Sequence, residues 1–368
     1  MKNYTTVVGL DVHKKTVVAA VLPPGSDRVT ERVTIENHRK AVEKLVRRLA
    51  AQGPVEFVYE AGPCGYELQR QMATMGQRCA VIAPALTPVR PGDRVKTDGR
   101  DAEKLARYHR AGELTEIRIP SMEEEAARDL VRTREDILSD RLRAKHRLSK
   151  FLLRQGIVYS GTKSWGVNYK LWLQGLQFQW QPLQQTFEAY VRAVEEAESR
   201  RETVDQQLSD LAQKEPYQTQ VKYLSCLKGI DMLTALTLAV EAQEFGRFEK
   251  ARGFMSYTGV VPAENSSGQR VRRGSITKAG NAHIRRVLVE AAWSYRRPSA
   301  ISAAVSKRRE GCPPEVIRIA QKAQNRLHRK FVRMVSQNKP NQVTAVAVAR
   351  ELGGFVWSIA RHFPAVAA

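Results

Sequence analysis

The stretch Val7-Val8-Gly9-Leu10-Asp11-Val12-His13 constrains the fold most. It is a short apolar run of β-type residues that delivers one carboxylate, Asp11, at its end. A lone aspartate after a strand is ordinarily a turn residue and specifies no chemistry by itself. A second run of the same kind, Val55-Glu56-Phe57-Val58-Tyr59-Glu60, ends in another acid. Asp98 and Asp101 then open a helical stretch, Lys96-Thr97-Asp98-Gly99-Arg100-Asp101-Ala102. Three residues apart on a helix, they share a face. Acids in a first turn also serve the helix dipole and its free amides. Four acids delivered this way form the donor set that a Mg²⁺-dependent phosphodiester-cutting site needs.

The elements around these acids have a legible order. Residues 5–11, 15–22 and 28–35 read as three strands, with Pro-Pro-Gly-Ser-Asp turning between the last two. Val42, Leu45, Val46 and Leu49 mark one face of an amphipathic helix ended by Gly53-Pro54. The Glu60 strand, a helix over 65–74 and a strand over 78–82 follow. The order β-β-β-α-β-α-β-α is that of a ribonuclease-H-like domain. By that fold-level analogy the first and fourth strands lie side by side, which makes Asp11 and Glu60 neighbours. The fold class is α/β in the first third and mostly helical after it.

Ser121-Met122-Glu123-Glu124 is a capping box opening a long helix to about residue 154. Leu130, Val131, Ile137, Leu138, Leu142, Leu148 and Phe151 line its apolar side, and Arg141, Arg143, Lys145 and Arg147 the other. Residues 155–181 lose periodicity and hold Trp165, Trp172 and Trp180. A base-stacking platform is one reading of these rings; a satellite core is the commoner one. From Leu183, the positions Phe187, Tyr190, Val194, Ala197, Val204, Leu208 and Leu211 follow steps of four and three, broken at Arg201. That is a heptad seam. A helix packed on its own domain shows the same pattern, but the charged flanks favour a coiled coil between protomers and hence a dimer or larger homo-oligomer. Leu227-Lys228-Gly229-Ile230-Asp231 resembles a helix-hairpin-helix turn, with Asp231 in place of the usual second glycine. Phosphate contact through its amides and plain packing are both open.

Residues 254–286 are the second informative region. Tyr257-Thr258-Gly259-Val260-Val261-Pro262 leads to Ser266-Ser267-Gly268 and then to Arg270, Arg272, Arg273, Lys278, Arg285 and Arg286. A Ser-Ser-Gly turn alone is weak support for a nucleophile. Among guanidinium groups it gains, because arginines hold phosphates with paired donors and offset developing charge. The basic residues are therefore candidate nucleic-acid contacts. No histidine stands at triad spacing, which argues against a protease, and His283 reads as a solvated helix residue. A basic helix from Glu315, apolar at Val316, Ile319, Ala323, Leu327 and Phe331, precedes a short helical stretch broken at Gly353-Gly354.

Composition sets the partner class. Sixty lysines and arginines against 38 acids leave +22, and nucleic acid is the favoured polyanion over a membrane surface. No apolar run approaches the ~20 residues of a spanning helix, and no signal peptide opens the chain, so a cytoplasmic, nucleoid-associated protein is expected. Four separated cysteines fit a reducing compartment without disulfides or zinc. The 368 residues allow two or three domains.

Taken in order, these motifs resemble the insertion-sequence-110 family of transposases, the bridge-RNA-guided DNA recombinases. The matching pieces are Gly9-Leu10-Asp11-Val12, Glu60-Ala61-Gly62, the Lys96–Ala102 stretch, Tyr257-Thr258-Gly259-Val260-Val261-Pro262 with Ser267-Gly268, and Ser275-Ile276-Thr277-Lys278-Ala279-Gly280-Asn281. The resemblance implies a RuvC-like (ribonuclease-H fold) domain over 1–155, a linker and coiled coil over 156–215, and a transposase domain over 216–368. It implies that Asp11, Glu60, Asp98 and Asp101 bind Mg²⁺. It further implies that Ser267, with Ser266 as runner-up, attacks DNA to form a phosphoserine link. The implied partners are a guide RNA, donor and target DNA, and further copies of the chain as a dimer or tetramer. A junction-resolvase-like endonuclease would share the acids without the serine, and a binding scaffold would need neither.

Overall fold

A computed structural model describes residues 5–88, 97–267, 272–298 and 300–364. The chain forms two compact units, Met1–Pro120 and Ser121–Ala368.

In the first unit β1 (Thr6–Val12) pairs antiparallel with β2 (Thr16–Leu22), and β2 with β3 (Glu31–Glu36). After α1 (Arg39–Ala50) the chain returns as β4 (Val55–Glu60), parallel to β1. After α2 (Glu67–Thr74) comes β5 (Arg78–Ile82), parallel to β4, and then α3 (Asp98–Ala111). The sheet order β3-β2-β1-β4-β5 is consistent with the ribonuclease-H-like arrangement expected from sequence, with the first and fourth strands adjacent.

Alternate residues of a strand face opposite sides of its sheet. Val8 and Leu10 enter a core with Leu45 and Val46 of α1 and Leu68 and Met72 of α2. Val7, together with Val58 of β4, packs on the other face against Leu105 and Ala106 of α3. Gly9 and Asp11 share that second face by strand alternation. A β-carbon at Gly9 would stand 1.9 Å from the Ala102 carbonyl oxygen and 2.7 Å from the Ala106 nitrogen. Only a residue without a side chain admits α3 at this distance. Arg110 ties down the far end of the helix by donating to the carbonyls of Pro23 (2.8 Å), Ser26 (2.6 Å) and Leu22 (2.6 Å).

Among the described residues, the second unit is helical apart from one hairpin. The Ser121 capping box opens α4 (Met122–Arg154) as expected, the Ser121 hydroxyl accepting from the Glu124 amide at 3.1 Å. After α5 (Val167–Gln174), α6 (Gln181–Ala212) runs back along α4, with Arg134 on Asp205 at 2.5 Å and Lys145 on Glu198 at 2.8 Å. The heptad seam is buried by this hairpin: Phe187 and Val194 lie with Leu148 and Phe151, and Val204 and Leu208 with Val131 and Ile137. The seam expected to join two protomers is thus closed within one chain. Periodicity announces that a partner helix exists, not whose it is, and the apolar stripe of α4 supplies it first. The compact division keeps α4 with α6, whereas the expected domains separate them.

Trp165 and Trp172 gather around Tyr169, with ring centres 4.9 and 5.2 Å away, which makes them a satellite core; Trp180 is exposed. Next come α7 (Tyr217–Leu224) and α8 (Met232–Ala242), joined by a turn whose Leu227 and Ile230 are fully buried. Asp231 caps α8, accepting from the Thr234 amide at 2.8 Å. That turn is built for packing. It is followed by α9 (Ala251–Tyr257), the hairpin of β6 (Pro262–Glu264) and β7 (Arg273–Ile276), and then α10 (Ala282–Ala292), α11 (Ala303–Arg309), α12 (Pro314–Ser336) and α13 (Asn341–Ala360).

Contrary to the expected break, α13 runs unbroken through Gly353-Gly354. Gly353 lies near Leu288 and Phe254, and a β-carbon at Gly354 would meet the Met255 side chain at 2.6 Å. These glycines make room for α9 and α10 and do not end the helix. Also contrary to the sequence reading, α13 is long and apolar enough to cross a membrane by length and composition, and half of that stretch is buried inside the protein.

Replacing Gly9 by Ala is expected to lower the stability of the first unit by about 1–3 kcal/mol or more, because backbone of α3 must move. A lower urea midpoint for the sheet unit checks this. An unchanged midpoint would mean that α3 does not lie against β1.

Candidate metal centre and serine hairpin

The parallel register pairs Leu10 with Tyr59, and one step further along the strands stand Asp11 and Glu60. β4 ends at Glu60 and β1 one residue after Asp11, so both acids stand at the C-terminal end of the central strands. On the α3 face, Gly9 lets that helix down onto β1 at Ala102 and Ala106, and Asp98 is its first residue. The sequence left His13 out of the site, yet His13 joins the two acids. Its Nε2 lies 3.2 Å from Asp11 Oδ2 and 3.4 Å from Asp98 Oδ2. Asp11, His13 and Asp98 each offer a ligand atom within 4.8 Å of the others. The signal that could have revealed His13 is its place two residues after Asp11, where the chain leaves the sheet.

Asp101 follows one turn on. Burial raises the proton affinity of the Asp11 carboxyl, and the negative charges of Asp98 and Asp101 add to that against the opposing pull of His13. Like charges gathered on one partly buried carboxylate call for a cation. Glu60 is exposed and accepts from the Thr87 hydroxyl at 2.9 Å. The four expected acids thus lie at one end of the sheet. Asp11, His13 and Asp98 form the tight inner group, and Glu60 and Asp101 are not part of it. Carboxylate oxygens with one imidazole nitrogen suit a small divalent ion.

A second cluster, Glu56, His109 and Glu116, also holds ligand atoms close together. Its centre belongs to Arg78, which reaches Glu56 and Glu116 at 3.0 Å each, while His109 Nε2 sits 2.9 Å from Glu56. A fixed guanidinium already supplies the positive charge there, so this is an internal ion network.

In the second unit Ser266 and Ser267 are exposed at the end of β6. The Ser266 hydroxyl donates to Glu264 at 2.9 Å. Arg270 and Gly268 lie outside the described residues, and of Arg273 only the backbone, in β7, is described. Arg272 and Lys278 are exposed. Arg285 and Arg286 are engaged within the protein. Arg285 donates to the carbonyls of Thr258 and Lys278, at 3.1 Å each. Arg286 pairs with Glu135 and, at 3.1 Å, with Glu290. His283 is not the solvated residue expected: it meets Glu135 at 2.6 Å. Burial opposes the Glu135 charge, but His283 and Arg286 outweigh it and hold its carboxyl below the usual range.

The base of the hairpin is locked from beneath. Gly280 (φ +101°) and Gly259 (φ +66°) take left-handed turns, and β-carbons there would strike Tyr257 O at 2.1 Å and Ala279 O at 2.4 Å. Asn281 caps α10 through the Ile284 amide (2.9 Å) and donates to Glu241 at 2.7 Å. Glu241, fully buried, is also gripped by Arg132 at 2.8 and 3.0 Å. Sequence reading found the glycines and Asn281 but not Glu241, whose carboxylate partners come from α4 and from the turn that opens α10.

With this geometry in place, the comparisons decide the family. Residues 8–156 match the family described as DEDD transposase of the IS110 type, and residues 221–305 match "Transposase IS116/IS110/IS902 family". The protein y4qE of Sinorhizobium fredii is 38% identical over 357 residues, covering 96% of this chain and 88% of its own. The "Transposase for insertion sequence element IS1533" of Leptospira borgpetersenii is 34% identical over 336 residues, covering 90% and 97%. The chain belongs to the IS110 transposase family. This IS110 transposase carries its acids in the first matched segment and its serines in the second. The first segment spans the boundary between the two compact units.

Because its folded carboxyl has a raised pKa, Asp11 carries a penalty that is absent below the unfolded value near 3.9. The penalty grows as pH rises through that value and is complete above the folded one. Metal-free D11N is therefore expected to melt above the wild type at pH 7 and level with it near pH 3. Mg²⁺ is expected to raise the wild-type melting temperature and leave D11N unmoved. Equal responses of both proteins to Mg²⁺ would remove Asp11 from the metal centre.

Proposed function

We propose that this IS110 transposase is a divalent-metal-dependent, RNA-guided DNA recombinase that cuts through a serine–phosphate link. The observation that carries the reading is the convergence of Asp11, His13 and Asp98 at the end of the central strands, with Glu60 and Asp101 beside them. Asp11, Glu60, Asp98 and Asp101 would hold Mg²⁺, which when bound neutralises charge on the phosphoryl oxygens and makes a nearby hydroxyl more acidic.

The chain's own residues supply the rest. The Ser267 hydroxyl attacks the DNA phosphorus; a Ser267 Oγ–P bond forms as the P–O bond to one strand end breaks, the serine proton passes to solvent, and the released strand-end oxygen takes one up as a free hydroxyl. The link keeps the phosphodiester energy, so a second strand's hydroxyl can displace the serine without external energy. Arg272 and Lys278, exposed on the flanks of the hairpin, hold the backbone, while Arg285 and Arg286 brace the turn and α10. RNA guidance follows the family resemblance and the +22 charge, with sequence choice left to base pairing. Assembly as a homo-oligomer on donor and target DNA is part of the same reading.

The test combines three variants with donor DNA and the RNA that copurifies with the protein. Ser267→Ala is expected to abolish the covalent protein–DNA adduct on a denaturing gel, and Ser266→Ala to retain it. Asp11→Asn is expected to lose strand cleavage and keep DNA binding. Cleavage that survives Ser267→Ala would favour a resolvase-like endonuclease. Cleavage that is indifferent to removal of the RNA would reject the guidance.

A further inference from the structure

In the second unit, α12 carries a basic groove of about 690 Å³ against α13, lined by Lys322, Asn325, Arg326, Arg329, Lys330 and Arg333. The helix has one acid, Glu315, for six lysines and arginines. Its buried face is apolar apart from Gln324, with Val316, Ala320, Ala323, Leu327 and Phe331 on the core. Lys322, Arg326, Arg329 and Arg333 follow steps of four, three and four, so they stand in one row on the helix surface.

Glu351 of α13 reaches into the groove and organises two of the cations. It sits 3.2 Å from Arg326 and 2.8 Å from Lys330, which also donates to the Ala347 carbonyl at 2.9 Å. One carboxylate cannot neutralise two cations. Lys322, Arg329 and Arg333 are exposed and have no acid partner among the described residues. A protein does not ordinarily line up cations with no counter-charge, because they repel one another. The row from Lys322 to Arg333 covers roughly 16 Å, at ~1.5 Å per helical residue. Phosphates of one duplex strand recur every ~3.4 Å along the axis, so the row matches a run of about five.

We propose that the α12 groove is a duplex-DNA docking surface that grips one strand's phosphate backbone independently of the serine hairpin and the acid cluster. Lys322, Arg329 and Arg333 supply the charge. Glu351 holds Arg326 and Lys330 upright as the floor, and Asn325 offers a neutral donor. The contact reads backbone and not sequence. It rests on the reading of the chain as a DNA-processing transposase and adds a second grip to it.

The test measures binding of a blunt 30-base-pair DNA duplex to the full chain as a function of salt. Each phosphate contact contributes about 0.9 to the slope of log affinity against log salt. The triple variant K322Q/R329Q/R333Q is expected to flatten that slope by about two to three and to weaken binding at least tenfold at 150 mM salt. An equal charge loss on α1, K40Q/K44Q/R47Q, is expected to change the slope by less than one. The same titration with duplex RNA is expected to move much less. Equal losses for the two triple variants would reduce the effect to net charge and overturn the proposal. A loss confined to RNA, or an unchanged slope, would overturn it as well. Failure of the catalytic reading is scored separately, by cleavage in D11N, which leaves the α12 row intact.

Discussion

In the first unit a missing side chain faces a helix backbone. Gly9 lets α3 settle on β1 with Ala102 and Ala106 directly above it. Any side chain there would push the helix out by more than the neighbouring backbone can absorb. The position of α3 sets the position of Asp98, because Asp98 is its first residue. Asp11 lies two residues beyond Gly9 on the same face of the strand. One glycine therefore fixes the gap between acids from segments almost ninety positions apart. Arg110 closes the C-terminal end of α3 on the carbonyls of Pro23, Ser26 and Leu22, so the helix is held at its middle and at its end.

The second unit solves a similar problem with a buried charge. Glu241 has no solvent contact, and its carboxylate depends on Arg132 and Asn281. Removing Arg132 or Asn281 leaves that buried charge short of a partner while it keeps its desolvation penalty. Asn281 serves two masters: one side-chain atom caps α10 and another satisfies Glu241. The turn that carries Lys278 and Gly280 thus has a definite seat on α8 and α4. A hairpin presenting exposed serines needs such a base, since its own strands are only three and four residues long and a short two-stranded ribbon is marginal alone.

How much of this was legible depends on whether the signal is local. Strands ending in Asp11 and Glu60 announce themselves by alternation and composition, and the order of elements places them side by side. The capping box at Ser121 is read from four residues. The seam on α6 is local too, but its partner is not: the same spacing serves a second protomer or α4. His13 and Glu241 were missed for the opposite reason. Each is unremarkable in its own segment, and its role appears only when Asp98 or Asn281 arrives from elsewhere in the fold. Gly353-Gly354 misled because glycine weakens an isolated helix, whereas a tertiary neighbour such as Met255 makes its smallness an advantage.

The net charge shows the same division between local sign and tertiary use. Counting lysines and arginines gives +22 and points to a polyanion, but it does not say which cations face it. Arg78, Arg110, Arg132, Arg285 and Arg286 are committed to carboxylates or carbonyls of the chain itself. Such a guanidinium acts as a structural crosslink, and its charge is largely answered before any ligand arrives. Among the described residues, the exposed cations without an acid partner include Arg272 and Lys278 beside the serines, and Lys322, Arg329 and Arg333 along α12. A phosphate backbone offered to this surface gains most where charge is exposed and unpaired, because each such contact releases a condensed counterion without breaking an internal bond. Folding answers part of the positive charge with internal contacts and leaves rows such as that on α12 exposed.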